Sequence, residues 1–85
     1  MRDYEVHFLR EAEKDFDKLS PKLKLKLRQI LAEVVAKSPH SGKRLVGDLQ
    51  GFCSIRLNLK DRIVYTIDEG SLTVYVHRAR THYGE

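Results

Sequence analysis

The sequence predicts an α+β domain in the order β-α-α-β-β-β, with two helices packed on one face of a small, mostly antiparallel sheet. Three observations predict it. The first half of the chain carries apolar residues at helical spacing, punctuated by Ser20-Pro21 and Ser38-Pro39. The second half carries three runs rich in Ile, Val, Tyr and Leu, which fit a pleated, half-buried surface. Two polar breaks between those runs, Lys60-Asp61 and Asp68-Glu69-Gly70, have hairpin composition. With 85 residues the chain makes one domain, 1–85, with a small core.

The elements follow in order. Tyr4, Val6 and Phe8 alternate with Asp3, Glu5 and His7, giving a first strand with one wet face. Leu9, Ala12, Phe16 and Leu19 then recur at helical spacing, with Glu11, Glu13, Lys14, Asp15, Asp17 and Lys18 on the polar side. Ser20 is a helix N-cap and Pro21 the first helical position of a second helix reaching Lys37. Its buried stripe is Leu23, Leu27, Ile30, Leu31, Val34 and Val35; Leu25, Ala32 and Ala36 form a weaker second line. Lys22, Lys24, Lys26 and Arg28 make a basic, solvated face.

Residues 38–51 read as a loop broken by Ser41-Gly42, Gly47 and Gly51, with Leu45, Val46 and Leu49 anchoring it to the core. In the first of the three later strands Cys53, Ile55, Leu57 and Leu59 point one way, and Phe52, Ser54, Arg56 and Asn58 the other. In the next, Ile63, Tyr65 and Ile67 oppose Arg62, Val64 and Thr66. In the last, Leu72, Val74 and Val76 oppose Thr73, Tyr75 and His77. Continued strictly, that register would send Arg78 and Arg80 into the core, which is costly for unpaired charges. The strand must therefore bulge, bend or end near His77, leaving Arg78, Arg80, His82 and Tyr83 at a rim.

Charge and cysteine content narrow the functional classes. Lys and Arg number 16 against 12 Asp and Glu, for a net charge of +4, which permits a polyanionic partner without requiring one. Cys53 is the single cysteine, so no intrachain disulfide is available, and it reads as a small buried hydrophobe. The charged first residues do not form a signal peptide, and no run approaches a membrane span, so a cytoplasmic protein without membrane contact is expected. The four histidines lack metal-ligand spacing, and no phosphate-binding glycine loop or nucleophile elbow occurs; no metal or cofactor is expected.

What remains is a set of phosphate-directed groups. Guanidinium forks match phosphate oxygens, an imidazole titrates near neutrality, and an aromatic ring can stack on an unpaired base. Arg56, Arg62, Arg80, His82 and Tyr83 supply these types. A metal-free ribonuclease needs little more: a base for the ribose 2′-OH, cations for the phosphate, and an acid for the departing 5′-oxygen.

Three blocks carry a resemblance. Leu49-Gln-Gly-Phe-Cys-Ser-Ile-Arg56, Arg62-Ile-Val-Tyr65 and Ala79-Arg-Thr-His-Tyr83 resemble the Leu-x-Gly-Phe/Tyr-Trp-Ser-x-Arg, Arg-Leu-Val-Tyr and Cys-Arg-Tyr-His-Tyr stretches of the YoeB/Txe branch of the RelE/ParE toxins. The match is specific over residues 45–83; the helical half agrees in layout only. The resemblance implies a RelE-like fold and a small endoribonuclease that cleaves mRNA in the A site of the 70S ribosome, held silent by a cognate antitoxin. It implies that Arg62 stabilises the transition-state phosphate, that His82 is the general acid, that Tyr83 contacts or orients RNA, and that Arg80 and Arg56 line the phosphate path. Lys60, Arg78 and Arg44 are further expected RNA contacts, and homodimerisation is compatible with the branch.

Three departures qualify it. Lys43 stands where the branch has a candidate catalytic glutamate, Cys53 replaces the tryptophan, and Gly84-Glu85 follow the usual terminal tyrosine. The general base is therefore open between Lys43 and Asp48. The alternatives are a ParE-like gyrase-binding toxin and a catalytically weak member of the family.

Overall fold

The computed structural model describes residues 3–79. Its elements are β1 (Glu5–Phe8), α1 (Arg10–Asp17), α2 (Pro21–Ile30), β2 (Lys43–Arg44), β3 (Cys53–Arg56), β4 (Arg62–Asp68) and β5 (Thr73–Arg78). The five strands form one sheet in the order β1-β5-β4-β3-β2, with β1 parallel to β5 and every other pair antiparallel.

The helices cover one face. Ala12, Leu19, Leu27, Leu31 and Val35 pack with Cys53, Leu57, Ile63, Tyr65, Val74, Val76 and Ala79 in one buried cluster. The Ser20 hydroxyl accepts from the Leu23 N–H at 3.3 Å, so the expected N-cap is formed, with Pro21 immediately inside it. Past Ile30 the helix widens into a π-turn, Leu31–Val35, closed by the Ala36 N–H on the Leu31 carbonyl at 2.8 Å. The extra residue in that turn rotates the buried stripe. Val34 ends 39% exposed, whereas Ala36, expected on a weaker line, is buried. The Ala36 carbonyl in turn accepts the Tyr4 N–H at 2.7 Å, tying the approach to β1 to the end of the helix.

Other expectations need correction. β2 lies inside the segment read as loop: two polar residues carry no strand signal, and only pairing with β3 makes them one. Val46 is 82% exposed and anchors nothing, because the chain turns tightly over Gly47–Leu49. Leu59 is 92% exposed. The alternation of β3 stops at Arg56, because Asn58 builds a turn: its Oδ1 accepts from the Lys60 and Asp61 N–H groups, while the Leu57 N–H reaches the Asp61 carbonyl. Asp15, placed on the polar side of α1, is buried.

Gly42 sits where the β2 strand begins, against the core. A Cβ there would lie 2.2 Å from the Tyr65 hydroxyl and 3.0 Å from the Ser54 carbonyl. Tyr65 is fully buried and donates to the Pro39 carbonyl at 2.6 Å, so it has nowhere to retreat. Gly42→Ala is expected to destabilise the fold by about 1–3 kcal/mol, through overpacking and the strained Tyr65 hydrogen bond. Urea unfolding would check this, and an unchanged midpoint would contradict it.

Candidate functional site

The helix-free face of the sheet carries most of the described candidate residues. Strand alternation and register assign its rows. Arg56 of β3 lies directly opposite Arg62 of β4. In the next row Lys43, Ser54 and Val64 are paired across β2, β3 and β4. Beyond it lie Phe52, Thr66, Tyr75 and His7, the last three linked by pairing across β4, β5 and β1. Glu5 and Asp68 both pair with Thr73 in the outermost row. The face thus grades from cationic at one end, through aromatic, to acidic at the other.

The Arg56–Arg62 pair is electrostatically unusual. Facing residues of an antiparallel pair have Cβ atoms about 5 Å apart, and like charges there destabilise the sheet. Arg56, Arg62 and Lys43 form no ion pair with a carboxylate among the described residues. Such an arrangement suits a polyanion that would relieve the repulsion. Lys60 extends it, exposed in the turn between β3 and β4. Ser54 adds a second unusual feature. Its hydroxyl is buried in the Lys43 row and has no hydrogen-bond partner among the described residues.

Two expected contacts are placed elsewhere. Arg44 pairs with Cys53 on the helix side of the sheet edge and lines a cavity of about 650 Å³ with His40, Cys53 and Glu69. Burial pushes the Cys53 thiol up, and the Arg44 charge only partly opposes this; Cys53 is buried as expected. Arg78 is bound to the fold itself: its Nε and Nη2 donate to the Asp15 carboxylate at 2.8 and 3.2 Å, and the Ala79 N–H donates to the same group at 3.1 Å. Arg80, His82 and Tyr83 lie outside the described residues.

The expected irregularity near His77 is present. Tyr65 opposes Val76 and Val64 opposes Arg78, so His77 is the extra residue of a bulge. Its Nε2 shares a hydrogen bond of 2.9 Å with the Thr66 hydroxyl, and its ring meets Phe52 edge-on at 4.8 Å between centroids. Burial holds the His77 imidazole below the ordinary histidine value, favouring the neutral ring. A depressed folded-state value means the unfolded chain takes up the proton first. The His77 contribution to stability is therefore complete above about pH 6.5 and declines as pH falls from there toward the folded value. An NMR titration of its ring protons is expected to show a midpoint below 6.5; a midpoint above it would contradict this environment.

Comparison with known proteins places the fold and the family. No family model matches the chain. A curated protein of Methanocaldococcus jannaschii, "Putative toxin RelE4", is 33% identical over 73 residues, covering 84% of this chain and 78% of that protein. The chain belongs to the RelE/YoeB/ParE superfamily of toxins from toxin–antitoxin systems. A chain of the RelBE2 toxin–antitoxin complex of Mycobacterium tuberculosis superposes with a TM-score of 0.87 at 29% identity, covering 96% of this chain and 94% of that one. The YoeB/ParE toxin of Agrobacterium tumefaciens shares the fold, with a TM-score of 0.84 at 20% identity over 93% of this chain and 99% of that one. Within the RelE-like fold the cationic end of the open sheet face is the candidate site. No helix among the described residues is long and apolar enough to cross a membrane.

Proposed function

We propose that this toxin is a ribosome-dependent mRNA endoribonuclease of YoeB-like type, acting in the cytoplasm without a metal or cofactor. The observation that carries this is the directly opposed Arg56 and Arg62 on the sheet face away from the helices, with Lys43 in the adjoining row. The two guanidinium groups hold the scissile phosphate and favour the charge that builds on its oxygens. The ribose 2′-oxygen attacks phosphorus and the bond to the 5′-oxygen breaks, leaving a 2′,3′-cyclic phosphate and a 5′-hydroxyl. His82 delivers the proton to the departing oxygen, with Arg80 and Tyr83 positioning the strand. The 2′-OH proton goes to the Asp48 carboxylate or to the unprotonated amine of Lys43. Asp48 is exposed in the Gly47–Leu49 turn, whereas Lys43 lies on the open face with the two arginines. That position favours Lys43.

The ribosome supplies substrate positioning, which accounts for so sparse a catalytic set. The partner is an antitoxin whose acidic or apolar segment covers the cationic face and silences it. Superposition on a chain of the RelBE2 complex supports such a partner.

The deciding experiment uses a 70S complex with mRNA in an empty A site, mapping the cut and its 3′-end. A-site cuts ending in cyclic phosphate and lost in Arg62→Ala are expected. Intact mRNA from a protein that still arrests growth would point instead to a protein target such as gyrase.

A further inference from the structure

On top of the ribonuclease function, we infer that the aromatic row of the open face is a nucleobase-stacking subsite for single-stranded RNA. Tyr75 and His7 form its centre, with His77 and Phe52 beside them. His7 and Tyr75 are paired across β1 and β5, and their rings lie 6.1 Å apart at an interplanar angle of 29°, stacked side by side. Phe52 and His77 make a second, edge-on pair. Among the described residues no helix packs on this face, though Ser54, Val64 and Thr73 on it are buried. Tyr75, His77 and Phe52 are half-buried and His7 is exposed, so ring surface remains open to solvent. The bulge adds to the row, since the extra residue it inserts into β5 is His77, which leans over Thr66 toward Phe52.

Position gives the row its ligand. Along the strands it is the row next to that of Lys43, with Phe52 at the near end and Tyr75 and His7 three and four strands across the sheet, about 14–19 Å away at ~4.8 Å per strand. An RNA strand whose phosphates are held by Arg56 and Arg62 would cross the face toward β1, so that bases further along the same strand reach the rings. Asp68 and Glu5, whose carboxylate meets the His7 Nε2 at 3.0 Å, repel the backbone from that end, which leaves the strand one polarity of approach: phosphates at the cationic end, bases across the middle. Neutral His77 keeps a flat, uncharged ring in the row. Stacking of an unpaired base on aromatic side chains is tolerant of sequence, because every base has a π-face.

The alternative role for these rings is cross-strand packing that only stabilises the sheet. Binding of a short 2′-O-methylated RNA, which cannot be cut, separates the two when followed by anisotropy over a range of salt. Tyr75→Ala and Tyr75→Leu are expected to weaken binding about 5- to 100-fold with an unchanged salt slope, while Tyr75→Trp retains it. Arg62→Ala is expected to lower the slope by about one. An RNA with abasic positions should bind wild type as weakly as normal RNA binds Tyr75→Leu. Thermal melts of each variant exclude unfolding as the cause. Wild-type affinity in a folded Tyr75→Leu protein would overturn the subsite, and so would failure of wild type to bind the oligonucleotide. Neither result would touch A-site cleavage, which the 70S experiment judges separately.

Discussion

Arg62→Ala is expected to lower A-site cleavage by about 10²–10³-fold while leaving the unfolding midpoint unchanged or raised. Both halves follow from the register. Arg62 and Arg56 face each other across β3 and β4, and neither has a carboxylate partner among the described residues. The repulsion is a standing cost to the free protein, so deleting one arginine removes it. Under the proposed mechanism the same charge would stabilise the phosphate only as its negative charge grows, so the loss is expected to fall on kcat more than on KM. Arg62→Lys should recover little, because a point charge does not reproduce the planar fork. Single-turnover cleavage and a thermal melt on the same preparations check both. Loss of activity together with a collapsed melt would show Arg62 to be a structural residue.

Asp15→Ala is expected to be among the most destabilising single changes to the fold, at about 2–3 kcal/mol. The Asp15 side chain is only 6% exposed and, among the described residues, accepts from the Arg78 Nε and Nη2 and from the Ala79 N–H. Removing it leaves a guanidinium and a buried N–H without that acceptor. Arg78 is 39% exposed, so water offsets part of the loss, which keeps the figure below that of a fully buried pair. In a domain of this size the change corresponds to a fall of about 10–20 °C in Tm. Asp15→Asn should cost less, since it keeps an acceptor for Ala79. Pairing Asp15→Ala with Arg78→Met should cost less than the sum of the two singles. Strict additivity would show that the ion pair carries no coupling.

These residues show what the sequence could and could not reveal. The bulge was legible, because strict alternation from Val74 and Val76 leads a charge into the core. The second half of the answer was not. The chain bulges at His77 and also supplies Asp15 to meet Arg78, but a helical wheel of α1 puts Asp15 among five other charged residues, with nothing to mark it as buried. Only the docking of α1 against the end of β5 distinguishes it. Leu59 and Val34 failed for local reasons, the Asn58 turn and the π-turn, each a one-residue departure from an otherwise regular period. Arg56 and Arg62 were expected to hold phosphate, by residue type and by resemblance. Their direct opposition depends on where the hairpin closes, which the turn at Leu57–Asp61 decides. Tyr75 and His77 were placed opposite Val74 and Val76 from the sequence, but the alignment of Tyr75 with His7 depends on the β1–β5 pairing, which no local pattern shows.

The parallel pairing of β1 with β5 fixes the order in which the molecule can be assembled. Strands β3, β4 and β5 are successive antiparallel neighbours joined by short turns, so their contacts form locally and early. Glu5 finds Thr73 only after almost the whole chain has been looped back, and that closure has the largest entropic cost in the fold. During synthesis Glu5–Phe8 is made before Thr73–Val76 and must wait, with Val6 and Phe8 uncovered, until that strand leaves the ribosome. Completion of the sheet is therefore a late event, and the N-terminal strand is the part of the toxin that a protease or chaperone would meet unpaired.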